Sequence, residues 1–93
     1  MPRFVIERTL PGAGKLSPQD LQAISAKSCD VLERLGPSIQ WQESFVTDDK
    51  IYCVYIAPDD KLIREHASRG EFPIDHVAQV RAVIDPTSAE ARA

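Results

Sequence analysis

A chain of 93 residues with 43 % hydrophobic and 27 % charged side chains has room for one domain and one modest core, and is far from the composition of a disordered polymer. Its net charge of −3 and pI near 5.2 leave no basic surplus to neutralise phosphates, which argues against a nucleic-acid partner. The start, MPRFVIERTLPG, holds an apolar run of only three residues, too short for a signal peptide or a membrane span, so a cytoplasmic protein with no membrane partner is expected.

Arg3 to Leu10 alternates, with Phe4 and Ile6 on one side and Val5 and Glu7 on the other, the two-residue period of a strand. Pro11, Gly12 and Gly14 break it. The GAGK stretch resembles part of a phosphate-binding loop, but the glycine required upstream is Thr9 and the Ser or Thr required after the lysine is Leu16. It reads as a glycine-rich turn. Ser17, Pro18 and Asp20 then mark a helix start: an N-cap acceptor, a ring with φ preset at the first helical position, and an acid where the dipole favours it. Leu21, Ile24, Ser28, Val31, Leu32 and Leu35 follow at helical spacing until Gly36 and Pro37. Gln22, Lys27, Asp30, Glu33 and Arg34 form the outer face.

SIQWQESFVTDDKIYCVYIAP contains two β-rich runs joined around Asp48 and Asp49, a hairpin. A turn centred there sets Phe45 across from Tyr52, Glu43 from Val54 and Trp41 from Ile56. One face is then Ile39, Trp41, Glu43, Phe45, Tyr52, Val54 and Ile56; the other is Gln40, Gln42, Ser44, Val46, Ile51, Cys53 and Tyr55. Tyr52 and Trp41 are expected in the core, and Cys53 on the opposite, uncovered face. Cys29 and Cys53 lack the close spacing of a metal knuckle or redox pair, and no disulfide is expected.

Pro58 ends the hairpin, Asp59 or Asp60 can cap a second helix, and Leu62, Ile63, His66 and Ala67 form its inner side before Gly70 and Pro73. Lys61 with Glu65, and Glu65 with Arg69, are supportive four-residue pairs. A last strand is expected from Asp75 to Ile84, with His76 on the same side as Ala78 and Val80, the helix-covered one; residues 88–93 form a disordered tail beyond a single domain spanning 1–87.

Strand, helix, strand, strand, helix, strand is the split βαβ plan of the ferredoxin-like α+β fold. Right-handed crossovers put both helices on one face of an antiparallel sheet and leave the other bare. Val5, Val46, Ile51, Tyr55 and Val83 would make that bare face an apolar patch larger than a monomer normally exposes, which points to a homodimer.

The stretches IQWQESFVTDDKIYCVYIAP, REHASRGEFP, VRAVIDPT and GAGKLSPQDLQAIS resemble a family of small bacterial ferredoxin-like proteins catalogued as a domain of unknown function, which includes a nickel-binding protein. The likeness runs from Arg3 to Thr87. It implies a dimer of ferredoxin-like subunits with nickel bound at the dimer surface, but no motif marks the ligands. A likeness at fold level alone extends to dimeric α/β-barrel proteins, some of them cofactor-free monooxygenases or isomerases.

Three readings of the chemistry follow. His66 faces the sheet from the second helix and His76 opens the last strand; near the RGEFP turn the two could meet, with Glu71 and Asp75 completing a shell for Ni²⁺ or another divalent metal. This metal-binding reading comes first, with no organic cofactor. The alternative is a cofactor-free enzyme in which Glu43, a carboxylate between Trp41 and Phe45, joins His66 as an acid/base dyad in a pocket between helices and sheet, although a wet sheet edge is the plainer place for Glu43. In the third, an interaction module without chemistry, His66 is a structural core residue.

Overall fold

The computed structural model describes residues 1–90. The β-strands are β1 (Arg3–Thr9), β2 (Gln40–Val46), β3 (Lys50–Ile56) and β4 (His76–Gln79), and the helices are α1 (Pro18–Leu35) and α2 (Asp60–Gly70). The strands form one antiparallel sheet in the order β2-β3-β1-β4, the ferredoxin-like arrangement.

Local chemistry sets the helix ends. Ser17 caps α1 in a capping box: its hydroxyl accepts from the Asp20 amide, and the Asp20 carboxylate accepts from the Ser17 amide. Asp59, rather than Asp60, caps α2 by accepting from the Leu62 amide. On α1 Ser28 and Val31 are buried, Leu21, Ile24, Leu32 and Leu35 half-buried, and the anticipated outer face is exposed. Glu65 of α2 pairs with Arg69 at 2.6 Å. The helix ends not on glycine but on Glu71, in the left-handed region at φ 57.

The glycine-rich stretch becomes a 3-10 turn, Ala13–Lys15, latched onto the β2–β3 hairpin. The Leu10 amide donates to the Asp49 carbonyl at 2.8 Å and the Gly14 amide to the Asp48 carbonyl at 2.9 Å. A Cβ on Gly14 would lie 2.9 Å from the Asp48 Cα, so only glycine permits this approach.

The core lies between helices and sheet: Phe4 and Ile6 of β1, Ile51, Cys53 and Tyr55 of β3, Ile39, Ala57, and Ile63 of α2. Each fully buried large side chain contributes about 1.5–3 kcal/mol of transfer free energy. The hairpin row expected inside is therefore reversed on β3. Tyr52, Val54 and Ile56 lie on the open face, whereas Ile51, Cys53 and Tyr55 lie under the helices. The cause is the pairing with β1: Phe4 opposes Tyr55 and Ile6 opposes Cys53, and directly opposed residues share a face. The expected open-face members Val46, Ile51 and Tyr55 are thus on the helix side; Val5 is on the bare face as expected, joined there by Tyr52, Val54, Ile56 and Phe45. Phe45 does oppose Tyr52, and Glu43 opposes Val54, as the turn position requires. A bulge between Trp41 and Glu43 then shifts the register, so that Trp41 opposes Tyr55 rather than Ile56 and joins the helix side.

β4 ends at Gln79, well short of Ile84. The Val80 amide still donates to the Arg3 carbonyl, but β1 begins at Arg3 and offers the chain no partner beyond it. Val83 and Ile84 are 68 % and 83 % exposed. Of the expected disordered tail, residues 88 and 89 close a 3-10 turn, Pro86–Ala89, capped by Asp85, and 91–93 lie outside the described residues.

Candidate functional site

Beneath α1, on the helix side of the sheet, is a cavity of about 290 Å³. Its walls are mostly apolar, with Leu21 and Ile24 from α1 and Trp41, Ile51 and Tyr55 from the sheet, while exposed Lys27, Val46 and Glu71 stand at its rim. A line of polar groups crosses three strands at its floor. Trp41 Nε1 donates to Ser44 Oγ at 2.9 Å, Ser44 Oγ to Cys53 Sγ at 2.9 Å, and Arg8 Nε to the same sulfur at 3.5 Å. Cys53, expected on the uncovered face, is thus a buried member of this line; Cys29 is exposed on α1, and both thiols are free.

Arg8 is the unusual member, a guanidinium only 4 % exposed. Nη1 donates to the Pro73 carbonyl at 2.8 Å, Nη2 has no partner, and the group lies 5.6 Å from the Phe72 ring centroid. Its position was legible: it continues the inward row of Phe4 and Ile6 on β1. A charged residue in a core row is the signal that composition and motif reading passed over.

His66 is fully buried, as its helical position implied. Its Nε2 lies 3.2 Å from Ser28 Oγ, while Nδ1 has no partner. The ring stacks on Phe72 at 5.5 Å and meets Tyr55 at 5.2 Å. Burial holds the imidazole below its ordinary pKa of 6.5; the Ser28 backbone opposes this and the charge of Arg8 adds to it. Burial likewise pushes the Tyr55 phenol up, against the influence of Ser28 and Arg8.

The residues expected to form a metal shell are not brought together. His76 opposes Glu7 and Ala78 opposes Val5, which puts His76 on the open face, whereas Val77 packs into the core in the place expected for its neighbours. The sheet therefore separates His76 from His66. Asp75 binds β1 through its amide to the Glu7 carbonyl and its carboxylate to the Thr9 hydroxyl, and Glu71 is exposed at the cavity rim. Among the described residues no three His, Cys, Asp or Glu side chains gather as a metal shell. Nor does the structure bring Glu43 to His66. Glu43 is exposed on the open face, in a shallow depression with Arg3, Val5 and Val54, on the far side of the sheet from the imidazole.

An antiparallel sheet of four strands, roofed by two helices over a cavity and bare on its other face, defines a small ferredoxin-like α+β protein. The chain belongs to the family described as nickel responsive protein SCO4226-like, whose model matches residues 4–80. Its structure is similar to the crystal structure of SCO4226 from Streptomyces coelicolor A3(2), with a TM-score of 0.74 over 88 % of this chain and 99 % of that one, at 13 % sequence identity. That likeness concerns the fold alone. An alignment 56 positions long, covering 58 % of the chain, is also 29 % identical to part of the leucine–tRNA ligases of Methanococcus maripaludis strains C5 and C7. The matched part spans 6 % of the length of those ligases. No helix among the described residues is long and apolar enough to cross a membrane.

Proposed function

We propose that this chain is a cytoplasmic nickel-responsive protein that acts as a homodimer, with its metal site completed by the second copy. Family membership over residues 4–80 carries the reading. The bare sheet face supports the dimer: Phe45 is 54 % and Val5 36 % exposed, flanked by half-buried Tyr52, Val54 and Ile56. Such a surface is stabilised by removing it from water.

The same face argues for a shared site. One copy alone lacks three close metal-binding side chains among its described residues, but His76 stands on the open face beside Glu7, with Asp75 next in sequence. A copy packed against this face would bring its own imidazole and carboxylates, a donor set suited to Ni²⁺. His66 and Glu71 take no part in this version of the site.

The test is calorimetric titration of Ni²⁺ into the wild type, His76→Ala and His66→Ala, with the mass of each in solution from light scattering. The wild type and His66→Ala are expected to be dimers that bind nickel, and His76→Ala a dimer whose binding is lost. Equal binding by wild type and His76→Ala, or a monomeric wild type, would overturn the reading.

A further inference from the structure

We propose that the cavity beneath α1 binds a small organic acid, seating the carboxylate on Arg8 and the apolar body between α1 and the sheet. Two independent observations meet there. The first is Arg8 itself, 4 % exposed, lining the cavity, with Nη2 unpartnered and no carboxylate paired to it among the described residues. Burying a guanidinium is unfavourable unless an anion faces it, and its planar fork matches a carboxylate.

The second is the shape and chemistry of the space. A cavity of roughly 150 Å³ suffices for benzene. This one, at about 290 Å³, has room for a ring with a short chain or an alkyl chain of similar bulk. Leu21, Ile24, Trp41 and Ile51 give such a body apolar walls. A polyanion does not fit this description, because one buried guanidinium with one free nitrogen answers a single carboxylate. Lys27, at the rim and 5.4 Å from the Phe72 ring centroid, adds positive charge to the entrance, opposite in sign to Glu71 on the same rim. Arg8, Phe72 and Pro73 connect the anion seat to the loop after α2, so occupancy would bear on that loop directly.

Trp41 is the only tryptophan in the chain and lines the cavity, so its fluorescence reports occupancy. Octanoate and phenylacetate, and their neutral counterparts octanamide and phenylacetamide, are titrated into the wild-type protein in metal-free buffer. The nickel reading has no influence on the result. At least one acid is expected to saturate the Trp41 signal in the millimolar range or below, about tenfold or more tighter than its amide. Arg8→Met is expected to lose that preference for the acid while melting at the same or a higher temperature, because the uncompensated charge is gone. Equal affinity of acid and amide for the wild type, or no saturation by either acid up to about 10 mM, would overturn the proposal. These wild-type titrations decide the matter even if Arg8→Met fails to fold.

Discussion

Ser28 Oγ lies 3.2 Å from His66 Nε2, joining the middle of α1 to α2 through a hydrogen bond shut away from water. Both residues are buried, at 5 % and 0 % exposure, and the His66 ring also packs on Phe72 and Tyr55. The pair is therefore a structural joint between the helices, and its Ser28 member also lines the cavity.

Removing one side of that joint strands the other. Ser28→Ala leaves both ring nitrogens of His66 without a protein partner, since Nδ1 already has none. The expected loss is about 1–3 kcal/mol in urea denaturation, the cost of an unsatisfied buried polar group. In a double-mutant cycle with His66→Phe the effect of Ser28→Ala should shrink, because the stranded ring nitrogen is then absent.

Acid should weaken the fold through the same histidine. The folded-state pKa of His66 is held below the ordinary 6.5 by burial, so the unfolded chain takes up this proton first. The stability linked to His66 is fully present above pH 6.5 and is lost progressively as pH falls from there through the lower folded-state value. His66→Gln should flatten the stability curve below about pH 6.5. Chemical denaturation at several pH values in that window checks the slope.

The side of the sheet each tyrosine occupies predicts unequal costs. Tyr55 is 2 % exposed in the core, and Tyr55→Ala should cost about 3–5 kcal/mol, as for other large aromatic truncations. Tyr52 is half-buried on the open face, and Tyr52→Ala should cost less than half as much when measured at protein concentrations too low for self-association. Equal costs would contradict the observed pairing of β1 with β3.

Gly14→Ala should destabilise, against the usual entropic benefit of replacing glycine. The new Cβ would meet the Asp48 backbone at 2.9 Å, so the hairpin turn has to move and the Gly14-to-Asp48 hydrogen bond lengthens. A loss of about 1–3 kcal/mol is expected, with the Gly14 amide losing its protection from hydrogen exchange.

What could be read from the residues alone was local. Ser17 and Asp20 announce the start of α1 because a capping box is complete within four residues, Asp48 and Asp49 mark the hairpin turn, and the 3.6-residue period turns Ser28 and His66 inward. These signals, taken in order, also dictate the ferredoxin-like plan. β3 carried no such signal: Tyr52, Val54 and Ile56 are as apolar as Ile51, Cys53 and Tyr55, so periodicity alone could not say which row faces the core.

Tertiary structure made that choice through β1. Ile6 and Arg8 pull Cys53 inward from a separation of about 45 residues, and once β1 is paired on both edges the faces of β3 and β4 are no longer independent. Hence His76 is separated from His66 by the sheet, Glu43 is separated from His66 in the same way, and Arg8 is buried against Cys53. Spacing along the chain determines which elements form; only long-range register decides which side chains share a side of the sheet, because a strand turns every other residue the opposite way.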